Sequence, residues 1–165
     1  SGNLGGSNAG RVLGKKAGLA VITLDVAKAV IPVFLTRLLI GENEAIVLGV
    51  MIAIGHCYPL FANFRGGKAV ATSFGFVGAM TIGNTKPFLV LLVIPVVLVI
   101  LIIKLGRYVS VGSMVGFGVT AISSFFIQTN LLFSLVNVFL WLFIIYRHRS
   151  NITRVIDGTE NKITW

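Results

Sequence analysis

The stretch "PFLVLLVIPVVLVILIIK", residues 87–104, decides the class of this protein. Between Phe88 and Ile103 it has no charge and no hydrogen-bonding side chain. A soluble helix keeps one polar face, so a helix apolar all round belongs in a large core or in a bilayer. Crossing the bilayer takes roughly 20 apolar residues at about 1.5 Å each, which this stretch nearly supplies. Pro95 removes one backbone donor and kinks the helix, as transmembrane helices tolerate. The spacing predicts a kinked, lipid-facing span.

The rest of the chain reads the same way. Of 165 residues, 56% are hydrophobic and only 12% are charged. Soluble domains carry about 25% charged residues. Five further apolar segments, about 17–40, 45–63, 69–84, 109–128 and 131–146, bring the expected spans to six. The segment at 69–84 is short and rich in glycine and small residues, which suits close approach to neighbouring helices. The expected fold is therefore all-α, a polytopic integral membrane helical bundle forming one domain over residues 1–165.

Charge supports this threading and assigns sides. Fourteen Lys and Arg stand against five acids, a net charge of +9. In a soluble protein this balance would suggest nucleic acid. Here eleven of the cations (Arg11, Lys15, Lys16, Arg65, Lys68, Lys104, Arg107, Arg147, Arg149, Arg154 and Lys162) fall on one side of the six spans. Lys86 alone falls on the other, while Lys28 and Arg37 lie within the first span. Lys and Arg collect in cytoplasmic loops, so the basic side is expected to be cytoplasmic and no nucleic-acid partner is implied. Cys57 is the only cysteine, which excludes a disulfide framework and a thiolate metal site.

The polar stretches on that side carry chemistry suited to anions. In "FRGGKAVAT" (64–72), Gly66 and Gly67 allow backbone N–H groups to converge as a nest, Lys68 adds a point charge, and a helix beginning near Ala69 aims its dipole at the same place. A tight turn bearing positive-inside residues accounts for these residues as well. A nucleotide P-loop does not, because Ala69 follows the lysine and no strand precedes it. "SGNLGGSNAGR" (1–11) repeats the pattern and ends on Arg11, whose planar fork suits phosphate. "YRHRSNITRVIDGTE" (146–160) places His148 between two arginines, with Asn151 three residues on. Within the first span Asp25 and Lys28 share a helical face, as an ion pair that either braces a site or is purely structural. No metal-ligand cluster, aspartate-rich magnesium motif or nucleophile elbow occurs.

Taken together, "SGNLGGSNAGR", "GHCYPLFANFRGGKAVAT" (55–72) and "HRSNITRVIDGTENK" (148–162) resemble, in this order, the three signature motifs of the bacterial acyl-phosphate-dependent glycerol-3-phosphate acyltransferases, the PlsY family. "LDVAKA" (24–29) and "RYVSVGS" (107–113) fit as well, so the resemblance covers essentially the whole chain. It implies transfer of a fatty acyl group from acyl-phosphate to the 1-hydroxyl of glycerol 3-phosphate, giving lysophosphatidic acid and phosphate without cofactor or metal. The catalytic residues it implies are His148, Asn151, Lys68 and Arg11. Binding of substrate phosphate would fall to Ser1, Gly2, Asn3, Ser7, Asn8, His56, Gly66, Gly67, Ser110, Ser113, Arg149 and Glu160, with Asp25 and Lys28 in support. A further span ahead of Ser1, seven in all, is expected from the resemblance. So are a bacterial inner-membrane location, a cytoplasm-facing site, the lipid bilayer as surroundings, and a monomer without protein partner.

The chain departs from the family pattern at three positions. Ser7 replaces the usual Thr and keeps the hydroxyl. Ala69 replaces a common Gly, and Ser150 replaces a frequent Glu, so no carboxylate role transfers there. The rival reading is an anion transporter. It calls for internal repeats and charges through the depth of the bilayer, and the chain shows no convincing repeat.

Overall fold

The computed structural model of the chain describes residues 3–163, and every regular element among them is helical. The chain divides into two compact units, Ser1–Ile82 and Gly83–Trp165.

The first unit contains α1 (Gly6–Leu13), α2 (Lys15–Leu39), α3 (Glu42–Cys57) and α4 (Val70–Thr81). The glycine-rich opening, expected as a loop, is mostly the helix α1. Its Gly6 and Gly10 lie against Gly18 of α2, where a Cβ on Gly18 would stand 2.6 Å from the Gly10 Cα. Close backbone approach is what small residues give a membrane helix pair. Gly14, at φ 90°, turns the chain from α1 into α2 through a conformation that favours glycine.

α4 is the buried helix anticipated at 69–84, with nine of its twelve residues inside the protein. Gly75 meets the backbone of α2 at Val26. Arg37, near the end of α2, donates to the carbonyls of Ala79 and Ile82 at 3.3 and 3.2 Å, satisfying groups that a helix end leaves without partners. At about 1.5 Å per residue α4 reaches roughly 18 Å, well short of the hydrocarbon core of about 30 Å.

The second unit holds α5 (Thr85–Phe88), a π-helical turn at Leu89–Val93, α6 (Ile94–Gly106), α7 (Val109–Ile127), α8 (Leu131–Arg147) and α9 (Arg149–Ile156). Thr85–Gly106 forms one apolar helix that is scarcely buried, 11% over its most apolar window, in keeping with the lipid-facing role expected of it. The disruption expected at Pro95 takes the form of the π turn just before it. Pro95 has no N–H to offer the Leu91 carbonyl four residues back. The fully buried Thr120 hydroxyl of α7 donates to that carbonyl instead, at 2.9 Å. Trp141 Nε1 donates to the Met114 carbonyl at 2.9 Å and ties α8 to α7.

Among the described residues, four helices are long and apolar enough to cross a membrane, and the bent pair α8 and α9, meeting at 57°, would make a fifth. The six apolar segments read from the sequence are all helices, but α4 is too short for that count by length alone.

Candidate phosphate-handling site

In the first unit the site grows from the end of α3. Gly66 N–H donates to the Cys57 carbonyl and Gly67 N–H to the His56 carbonyl, both at 3.1 Å. Both donors are engaged in closing the last turn of α3. The anion nest expected at Gly66 and Gly67 is therefore not formed. The glycines are required for another reason: a Cβ on Gly66 would overlap the His56 carbonyl, and one on Gly67 would overlap the His56 ring. The turn then carries Lys68 and leads into α4, whose first-turn N–H groups have no intrahelical partner and carry the positive end of the dipole. Ala69, which begins that helix, holds a left-handed conformation at φ 62°.

Beneath this loop Asp25, Lys28 and His56 form one cluster. Lys28 Nζ lies 2.6 Å from Asp25 Oδ1 and 2.7 Å from His56 Nδ1, and His56 Nδ1 lies 3.5 Å from the same carboxylate oxygen. An ammonium only donates, so His56 Nδ1 accepts and the ring proton sits on Nε2, the edge laid against Gly67. The ion pair read from the sequence is present. It also includes the histidine expected among the phosphate ligands, which here supports the loop from below.

The opening of the chain braces itself. Asn3 Oδ1 accepts from Gly5 N–H at 2.7 Å, and Asn8 Nδ2 donates to the Asn3 carbonyl at 2.8 Å, so these two side chains shape the turn into α1. Gly5 comes beside Gly67, where a Cβ on Gly5 would lie 4.0 Å from the Gly67 Cα. Ser7 lies in the first turn of α1 and Arg11 is exposed near its end. Ser1 and Gly2 lie outside the described residues.

The second unit organises its polar groups around Glu160. Its Oε1 accepts from Asn151 Nδ2 at 2.6 Å and from Ser110 Oγ at 3.1 Å, and its Oε2 accepts from Arg154 Nε at 2.7 Å. Burial pushes the Glu160 carboxyl up, but the hydrogen bonds from Asn151, Arg154 and Ser110, with the Arg154 charge, prevail and hold it below the usual carboxylate range. Gly158, at φ 70°, makes the turn that brings Glu160 back to α9. Ile163 N–H donates to the Arg107 carbonyl at 2.9 Å and Lys162 lies 5.6 Å over the Tyr108 ring, so the tail is fastened across the start of α7. Ser113, one turn beyond Ser110, is buried on α7.

His148 stands at the corner between α8 and α9, only 3% exposed. Its Nδ1 lies 2.8 Å from the Ile144 carbonyl. A carbonyl only accepts, so Nδ1 carries a proton. Asn151 N–H donates to the His148 carbonyl at 2.8 Å, which sets the start of α9. Arg149 folds back, donating to the Tyr146 carbonyl at 3.2 Å with its guanidinium 4.6 Å over that ring.

Sequence reasoning passed over Arg154 as a site residue, counting it only among the topology cations. Its signal was the glycine turn "DGTE" (157–160), which can return a carboxylate to the preceding helix. Among the described residues, no three His, Cys, Asp or Glu side chains gather as a metal site would require.

Among the described residues the protein is all-helical, with several apolar helices long enough to span a bilayer and with lysine, arginine and histidine at helix ends, which defines a polytopic helical membrane protein with basic turns. The sequence matches the family of glycerol-3-phosphate acyltransferases over residues 1–158, and the chain belongs to that family. It is 44% identical over 168 residues to a glycerol-3-phosphate acyltransferase of Listeria monocytogenes (serotype 4b, strain F2365), covering 100% of this chain and 81% of the relative. To the enzyme of Bacillus subtilis (strain 168) it is 41% identical over 165 residues, with the same coverage. The fold is similar to the crystal structure of PlsY, an integral membrane glycerol 3-phosphate acyltransferase, in its glycerol 3-phosphate form. The TM-score is 0.90 at 32% identity, over 99% of this chain and 80% of that one. The lysophosphatidic acid form gives a TM-score of 0.85 at 31% identity, over 97% and 79%.

Proposed function

We propose that this chain transfers a fatty acyl group from acyl-phosphate to the 1-hydroxyl of glycerol 3-phosphate. The observation that carries this reading is the family match over residues 1–158, which includes Arg11, Lys68, His148 and Asn151. In the reaction the hydroxyl oxygen bonds to the acyl carbon, the bond from that carbon to the phosphate oxygen breaks, and inorganic phosphate departs. The mixed anhydride is already activated, so no covalent enzyme intermediate is called for. Catalysis consists of holding two anions in line and stabilising the oxyanion that develops at the carbonyl.

Lys68 and the α4 N-terminus supply one anion-binding group, with Arg11 as a second cation. His148 fixes a substrate phosphate through Nε2, and a phosphate oxygen takes the hydroxyl proton. Glu160, with its three donors engaged, positions Asn151. Unpaired phosphates favour basic, glycine-lined turns, and an acyl chain favours surrounding lipid, so one protein offers both.

The same reading makes the protein a single membrane-embedded acyltransferase domain and a monomer of the bacterial inner membrane, with its basic turns in the cytoplasm. It gives six spans in this chain, with α4 completing a crossing inside the protein rather than against lipid. Transport of phosphate is not favoured. Incubation of purified protein with acyl-phosphate and glycerol 3-phosphate is expected to release phosphate and form lysophosphatidic acid at the same rate. Activity only with acyl-coenzyme A would overturn the donor, and phosphate movement into sealed vesicles without acyl transfer would overturn the reading as a whole.

A further inference from the structure

The turn between α3 and α4 carries apolar side chains that hold nothing together. Leu60 is 80% exposed, Phe61 93% and Phe64 57%. The turn keeps its shape through its backbone: Ala62 and Phe64 N–H donate to the Pro59 carbonyl at 3.2 and 3.0 Å, and Arg65 N–H to the Ala62 carbonyl at 3.0 Å. Gly66 and Gly67 then close onto α3 as described above. Asn63 and Phe64 both sit at positive φ, 49° and 59°. For a bulky residue such as Phe64 that conformation is costly, and the side chain gains little packing within the protein in return.

We propose that residues 59–65 form a membrane-interface anchor, with Leu60, Phe61 and Phe64 seated at the boundary between headgroups and acyl chains and Arg65 among the lipid phosphates. Three observations converge on a lipid surface as the occupant. The turn is continuous with α3, and Glu42–Ala62 counts as one apolar stretch of 21 residues, so the chain reaches the turn at the depth where a crossing ends. Five N–H groups between Ala62 and Gly67 are already bonded to backbone carbonyls, which entry into a water-poor layer requires. The exposed Arg65 directly follows the apolar residues, complementary to anionic headgroups. Interfacial apolar faces bury about 5–10 Å into such a boundary.

The anchor fixes the height of Lys68, three residues beyond Arg65, relative to the bilayer. Its anchoring rests on the geometry alone, whereas its value for meeting a donor whose acyl chain lies in the lipid rests on the acyl-transfer reading.

The test is a nitroxide attached at Phe61→Cys in a Cys57→Ala background, with the protein in vesicles of phosphatidylcholine and phosphatidylglycerol. Leu60→Cys, labelled in the same way, guards against a local disturbance from either substitution. Met51→Cys on the exposed face of α3 and Asp157→Cys on the exposed tail serve as lipid and water references. Expected is relaxation enhanced more by oxygen than by a water-soluble nickel chelate, as at Met51 and opposite to Asp157. Greater access to the chelate would overturn the anchor, and so would shielding from both reagents, which would mean that protein covers the turn. Because the readout is independent of turnover, a failure of the anchor is distinct from a failure of the acyltransferase assay.

Discussion

Asn151 and Glu160 are joined by a 2.6 Å hydrogen bond in which the amide Nδ2 donates to carboxylate Oε1. The bond fixes the amide orientation, so Asn151 is turned by a residue nine positions along the chain. Hydrogen bonds to a charged group are worth about 1.5–3 kcal/mol, corresponding to roughly 10–100-fold. Glu160→Gln is therefore expected to lower kcat/KM about tenfold or more, with the helical circular dichroism unchanged. Wild-type turnover by that variant would mean that Asn151 needs no such support.

The same carboxylate makes the tail sensitive to acid. Its carboxyl is held below the usual range in the folded protein, so it contributes stability that is fully present above the unfolded-state value, about 4.3 for Glu. That contribution is lost as pH falls through the folded value. Protease protection of residues 157–163 should therefore decline on acidification in the parent. In Glu160→Gln it should be weaker at neutral pH and change little with acid.

Lys68 directly precedes Ala69, the N-cap of α4. Lys68→Ala is expected to reduce turnover by about 10²-fold or more, in line with removing a group that stabilises transition-state charge. Its detergent melting temperature should stay near the parent value, since the loop is held by the Gly66 and Gly67 bonds. Near-normal activity at matched expression would remove this turn from the site.

Ala69 holds φ 62°, a left-handed conformation that favours glycine. A left-handed alanine costs about 1–2 kcal/mol, while glycine frees the unfolded chain by about 0.4–1 kcal/mol. Ala69→Gly also gives up a fully buried methyl worth about 0.8 kcal/mol, so the terms nearly cancel and the melting temperature should stay close to that of the parent. Ala69→Val, β-branched in the same conformation, should destabilise.

His148 gives a prediction of sign. With Nδ1 donating to Ile144, Nε2 donates to a phosphate only as the imidazolium, and accepts a proton only as the neutral ring. Positioning through donation predicts activity that falls as pH rises through the imidazole titration, whereas a general base predicts activity that falls as pH drops. Expected is the first profile, with His148→Gln losing less than about 10²-fold. An acidic limb that disappears in His148→Gln would assign the proton to the histidine.

The bilayer is why so much of this fold was legible beforehand. A solvent that admits no unpaired backbone and almost no charge imposes a one-dimensional rule on composition. The apolar segments at 17–40, 87–104, 109–128 and 131–146 accordingly became α2, the Thr85–Gly106 helix, α7 and α8 with ends shifted by only a few residues. The Asp25–Lys28 pair followed from helical spacing in the same way. No comparable rule governs glycine. Gly6 and Gly10 lower local helix propensity, and α1 forms because they lie against Gly18, a partner that only folding brings near. Gly66 and Gly67 read as an anion nest because their donors looked available; the carbonyls of His56 and Cys57 claim those donors once α3 ends where it does. The joining of Ser110, Asn151, Arg154 and Glu160 likewise depends on a turn at Gly158 and on the packing of the tail against α7. Sequence alone determined which segments are apolar enough to enter a membrane and which polar chemistry lies between them, because both depend on single residues and their solvent. Tertiary structure decided which backbone donors remain for a ligand and which side chains hold one another, because those are pairwise distances between parts of the chain that no local pattern encodes.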